Sequence, residues 1–304
     1  MTFALKLSPS RTRWVRGAAY LFAIVLVAAF LWRMGGDPWR QAAAEWHIML
    51  LLAVLSGFGL IVQAMAFRLV VPDTCRPQFT VTLAIWSVSA AVSVVAPLVA
   101  GLAARTTLLV RHGMGLSACA VASLRQVWLG LEYALLLSSL ALPFTGWALS
   151  VAITLGCGGA WLAMLAIRLL ARNKRAGQAS GRLGQAIDAL RAPVPVSAHP
   201  WFVLQVLTMS AVYLVGFNGL GAHVTAPQAV ALSGLTVVLS LIAFVPNGLG
   251  ITDAVWVLFA RSAGVELESA VAIAIVIRLG HLLAAVALAL LLKRRLADAS
   301  PLDD

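Results

Sequence analysis

Apolar runs long enough to cross a bilayer dominate this chain. A spanning helix needs about 20 mostly apolar residues. Six runs meet that length, at roughly 15–33, 48–70, 117–142, 147–171, 201–220 and 267–292. Inside lipid every backbone N–H and C=O has to be paired within its own segment, so runs of this length predict α-helices. The fold class expected is all-α: a polytopic membrane helix bundle, a single integral membrane domain over residues 1–304, with no soluble catalytic domain. Composition points the same way. The chain is 62% hydrophobic and only 11% charged, whereas a soluble domain carries roughly 25% charged residues.

The net charge of +11 would suit a nucleic-acid partner if it were spread over a surface, but its placement argues against one. Basic residues gather at Arg11, Arg13 and Arg16, at Arg172, Lys174, Arg175, Arg182 and Arg191, and at Lys293, Arg294 and Arg295. Each cluster abuts the end of an apolar run, which is how cytoplasmic boundaries are marked. Both termini are therefore expected on the cytoplasmic side of the inner membrane, with 172–200 a cytoplasmic loop and 293–304 a cytoplasmic tail. The first run is longer than the ~7–15 residues of a signal-peptide core, and it is read as an uncleaved span. The short connection 34–47, with Trp39 and Trp46, then lies outside.

Counting crossings under this sidedness leaves two segments, 80–113 and 229–264, that must leave one face and return to it. They bring the total to about eight hydrophobic segments. Proline cannot continue a helix interior without losing a hydrogen bond, and each of these segments carries proline and glycine at its middle. The first breaks at Pro97 and Gly101, the second at Pro246, Gly248 and Gly250. Both are expected to be broken or re-entrant helical hairpins. They also share an order: Pro97, Gly101, Arg111, Gly113, then Arg125; and Pro246, Gly250, Arg261, Gly264, then Arg278. Entered from opposite faces, they predict two inverted repeats, about 80–142 and 229–292. Interrupted helices in corresponding positions mark substrate sites near the bilayer midplane.

The charged residues within the spans carry the chemistry. Arg125 and Arg278 lie well inside their runs, and at ~1.5 Å per residue both are placed near the membrane centre. A charge there costs at least ~2.5–3.5 kcal/mol on insertion scales, so it faces a cavity or a partner. Glu132 shares a helical face with Arg125, and His281 shares one with Arg278. A buried ion pair that fixes helix register accounts for the same residues without any ligand. Arg105 sits deeper on the return limb of the first hairpin, while Arg111 and His112 fall at its cytoplasmic end. Asp253 either caps the limb that follows its break or pairs with a buried arginine. Guanidinium groups favour anions, phosphate above all. Arg105, Arg125, Arg278, Asp253, Glu132 and His281 are accordingly the candidates for holding the phosphate of an anionic lipid headgroup.

Other chemistries lack their motifs. There is no HExxH, GxxxxGK[ST] or GxSxG sequence, and no ATP site is expected. The five histidines and Cys75, Cys119 and Cys157 are scattered, so neither a metal, a cofactor nor a disulfide framework is expected.

The run Pro246-Asn247-Gly248-Leu249-Gly250-Ile251-Thr252-Asp253, followed by Gly264-Val265 and Arg278, resembles the signature of the lysylphosphatidylglycerol synthase transmembrane region, or flippase-like, family. Pro97, Gly101, Arg105, Arg111 and Arg125 resemble its earlier element. The resemblance covers about residues 10–295 and implies an inner-membrane protein that moves or handles lipids. Two positions depart from the pattern: Asp253 stands where the family usually has Glu, and Leu102 follows Gly101 where an acidic residue is common. The resemblance is to the membrane region alone, so the aminoacyltransferase activity fused to some relatives is not expected of these residues. The expected activity is therefore flipping or transport of an anionic, phosphate-bearing lipid or lipid-linked precursor, not catalysis. The alternative is an accessory subunit that presents a lipid to a lipid-modifying enzyme partner.

Overall fold

The computed structural model describes residues 43–95, 98–146, 150–173, 194–242 and 251–297. Among these the chain is helical, with no strand. The helices are α1 (Trp46–Val70), α2 (Phe79–Val95), α3 (Leu98–Arg111), α4 (Leu116–Ala141), α5 (Ser150–Asn173), α6 (His199–Gly219), α7 (Ala226–Ile242), α8 (Ile251–Ser262), α9 (Leu267–Leu291) and α10 (Lys293–Ala297). Five of them, α1, α4, α5, α6 and α9, are long and apolar enough to cross a membrane. They coincide with five of the six expected spans. The run at 15–33 lies outside the described residues, as do Arg11, Arg13, Arg16, most of the 172–200 loop and the breaks at Pro97, Pro246, Gly248 and Gly250.

Several hydroxyl side chains within the helices turn back on their own backbone, which meets their hydrogen-bonding need in an apolar environment. Thr82 donates to the carbonyl of Gln78, Ser87 to Leu83, Ser210 to Val206 and Thr236 to Leu232, at 2.8–3.0 Å. Leu, Val, Ile and Ala fill the remaining positions.

The two hairpin-like regions resolve into helix pairs, α2–α3 and α7–α8, each followed by a long helix. The lengths recur: 17, 14 and 26 residues for α2, α3 and α4, then 17, 12 and 25 for α7, α8 and α9. The turns into the long helices recur as well. Gly113 and Gly264 have φ of 86° and 83°, a left-handed conformation that glycine adopts without steric cost. In each turn the glycine N–H and the next N–H bond back to the preceding helix, Gly113 to Val110 and Met114 to Leu109, Gly264 to Arg261 and Val265 to Ala260.

Packing crosses between these units. Helix α2 lies on α9, and α7 lies on α4, while α1 packs against both α6 and α9. Two apolar cores result. One gathers Leu52, Tyr213, Phe217, Trp256, Phe259 and Ile273; the other gathers Leu60, Phe67, Ile85, Trp86, Leu129 and Phe202. Small residues set the closest approaches, as expected where lipid supplies no hydrophobic drive between helices. A Cβ on Gly280 would lie 2.8 Å from the Leu52 Cβ, so α1 and α9 touch backbone to backbone. Helix α5 packs mainly on α4 and leaves Val151, Leu155, Leu162 and Ile167 exposed, an apolar face suited to acyl chains.

Candidate functional site: an arginine–aspartate pair beside an internal cavity

Arg278 falls near the middle of α9, and Asp253 in the first turn of α8. Their side chains meet in two hydrogen bonds: Nε donates to Oδ1 at 2.6 Å and Nη2 to Oδ2 at 2.8 Å. The planar guanidinium matches two carboxylate oxygens, as it matches two phosphate oxygens. The pair is shielded, with side-chain exposures of 17% for Arg278 and 25% for Asp253. Trp256, one turn after Asp253 on α8, places its ring 5.6 Å from the guanidinium, within range of a cation–π contact. The Trp256 indole is itself fixed. Its Nε1 points to the Thr236 hydroxyl at 3.4 Å, and the Tyr213 ring meets it edge-on at 5.5 Å.

Arg278 borders a cavity of about 200 Å³ between α1, α6, α7, α8 and α9, and Asp253 reaches it through Arg278. Its polar lining includes Gln63, Gln205, Thr208, Thr236, Arg278 and His281. The Gln205 Oε1 is buried without a hydrogen-bond partner, so an acceptor stands unused in the wall. At ~30 Å³ per water in the liquid, the cavity has room for a small polar group such as a phosphate.

The structure therefore brings together three of the six expected residues, Arg278, Asp253 and His281. Of the two roles open to Asp253, it shows the pairing with a buried arginine. The other three lie elsewhere. Arg125 was expected at mid-depth with Glu132 as its partner. Instead its Nη1 donates to the carbonyl of Val70, the last residue of α1, at 3.2 Å. The contact ties the first half of α4 to the end of α1. Glu132 is taken by Arg168 of α5 at 2.8 Å, with both side chains shielded. Arg105 donates to Gln126 Oε1 at 3.3 Å and lies over Trp86 and Phe67 at 4.4 and 5.9 Å. Gly101 is buried, with the Ser89 carbonyl 2.8 Å from where a Cβ would stand. Arg111 is exposed, and His112 Nδ1 lies 2.8 Å from the Leu108 carbonyl.

Sequence reasoning passed over Gln63, Gln205, Thr208 and Thr236, uncharged polar residues with no periodicity to single them out. It also passed over Arg168, whose only signal was a lone charge in an apolar run.

Long apolar helices packed around a shielded charge pair and an internal cavity define a polytopic α-helical membrane protein. Residues 18–289 match the model of the family described as lysylphosphatidylglycerol synthase TM region. The chain belongs to that family, which associates it with membrane lipids. A comparison with curated proteins finds no match.

Proposed function

We propose that this protein moves an anionic, phosphate-bearing lipid or lipid-linked precursor across the inner membrane, performing no chemical step on it. The carrying observation is Arg278, a guanidinium held in two-point geometry near the middle of a spanning helix and bordering a mainly apolar cavity with polar groups in its wall. A lone arginine at that depth is unfavourable, and Asp253 neutralises it while the cavity is empty of substrate. A headgroup phosphate entering the cavity offers the same two-oxygen edge and takes the place of the aspartate. The basic clusters at both ends of the chain put both termini in the cytoplasm in this reading. The matched lengths and glycine turns of α2–α3–α4 and α7–α8–α9 support two inverted halves. No nucleic acid, metal or organic cofactor enters the reading.

The test is translocation of fluorescent anionic and zwitterionic lipids in proteoliposomes, comparing wild type with Arg278→Ala at equal amounts of folded protein. Movement of the anionic lipid that is lost in the variant supports the reading. Wild-type rates from Arg278→Ala would remove Arg278 from the pathway. Absence of protein-dependent movement would favour an accessory subunit that presents lipid to a modifying enzyme.

A further inference from the structure

Within the helices, the charged arginines are not equally balanced. Arg278 is neutralised by Asp253 and Arg168 by Glu132. Arg105 has no carboxylate partner among the described residues. Among the described residues its only hydrogen bond is to the neutral amide of Gln126, and its Nε is buried without a partner there. The guanidinium rests instead on aromatic rings, 4.4 Å from Trp86 and 5.9 Å from Phe67. Those rings pack together at 4.4 Å between centroids and fix its position. A cation held this way keeps its full charge and an unused donor.

The missing carboxylate has a place in the fold. Counting back from the left-handed turn glycines, Asp253 stands eleven residues before Gly264, and Leu102 stands eleven before Gly113. The position that carries the acid in α8 therefore carries an exposed leucine in α3. The acid at that position in α8 pairs with Arg278, whereas the same position in α3, one turn before Arg105, holds no acid.

The two arginines are also linked. Gln126, which accepts from Arg105, donates through Nε2 to the backbone carbonyl of Gln63 at 3.4 Å, and Gln63 lines the Arg278 cavity. Along α1 the cavity wall runs from Leu55 to Gln63, and Phe67 beneath Arg105 follows one turn later, about 6 Å on at the helical rise.

We propose that Arg105 is a second anion site, separate from the Arg278 cavity and one helical turn further along α1, which takes a phosphate group, from a lipid headgroup or free in solution. The proposal deepens the lipid-transport reading and depends on it only for the source of the phosphate. The charge-unbalanced site captures the anion, and the balanced site receives it when Asp253 is displaced.

The test is equilibrium binding by the purified full chain in neutral detergent, with dihexanoyl phosphatidylglycerol as the probe. Inorganic phosphate at matched ionic strength serves as competitor. In Arg278→Gln protein, the remaining binding belongs to Arg105. Adding Arg105→Gln is expected to weaken it by ~10-fold or more, the scale of losing a charge-assisted two-point contact. Binding that is the same with and without Arg105 overturns the proposal. Competition by phosphate supports the site with phosphate itself as the ligand, and lipid binding without competition supports it with the lipid headgroup. If Arg105→Gln does not fold, Arg105→Lys keeps the charge and loses the fork. It is expected to fold and to bind ~3- to 10-fold more weakly, and unchanged affinity overturns the proposal. Arg105-dependent binding without lipid movement sinks the transport reading and leaves this site standing. Lipid movement with Arg105-independent binding does the reverse.

Discussion

The guanidinium of Arg278 and the carboxylate of Asp253 face each other fork to fork across the α8–α9 contact, at 2.6 and 2.8 Å. Removing one partner leaves the other charged in a shielded site. Arg278→Ala and Asp253→Ala are each expected to cost about 2–4 kcal/mol in unfolding free energy in detergent, somewhat below a fully buried pair because the cavity solvates the survivor. The double variant should recover at least ~1 kcal/mol of the summed loss. Strict additivity of the two losses would show that the pair contributes nothing to stability.

Glu132 and Arg168 tie α4 to α5 away from the cavity. Glu132→Gln is expected to lower stability by about 2–4 kcal/mol, since Arg168 is left without its counter-charge and its Nε already has no partner. Lipid translocation per folded molecule should stay at the wild-type rate. A translocation defect with normal stability would place Glu132 in the pathway after all.

Gln205 lines the cavity with an unpartnered acceptor. Gln205→Leu is expected to leave thermal stability unchanged or raise it by ~1 kcal/mol, because an unmet buried polar group is removed. Translocation should fall, as activity and stability oppose each other where a site is built for a ligand. A variant that is more stable and equally active would mean that the ligand never meets Gln205.

Glycines separate by what surrounds them. Gly280→Ala would push a methyl into Leu52 and the backbone of Met49 and Ala53, and it is expected to cost about 1–3 kcal/mol. Gly130, on α4, has nothing within 4 Å of an added Cβ, so Gly130→Ala should stabilise by about 0.5–1 kcal/mol through helix propensity. Thermal unfolding of the two variants side by side checks both signs.

The spans were legible because a bilayer imposes a length, and length survives without any knowledge of packing. Asp253 and Arg278 were legible as expensive charges, and pairing of Asp253 with some buried arginine, not a particular one, was one of two readings open at the sequence level. The partner of Glu132 was not legible. Spacing within α4 names residues on its own face, whereas Arg168 arrives from a neighbouring helix whose position only packing decides. The contact of Arg125 with the Val70 carbonyl was hidden for a related reason, since it too crosses from α4 to a neighbouring helix. Gln63 and Gln205 carry neither charge nor period, so only the cavity makes them visible.

The Ser89 hydroxyl donates to the Gly101 carbonyl at 2.7 Å, and Gly101 admits no side chain between α2 and α3. A hydroxyl that spans two limbs, where elsewhere it would satisfy its own helix, acts as a rivet. Scissoring the limbs apart has to break this shielded bond and open the close packing at Gly101. The rivet therefore couples whatever moves α2 to α3, and through the glycine turn at Gly113 to α4.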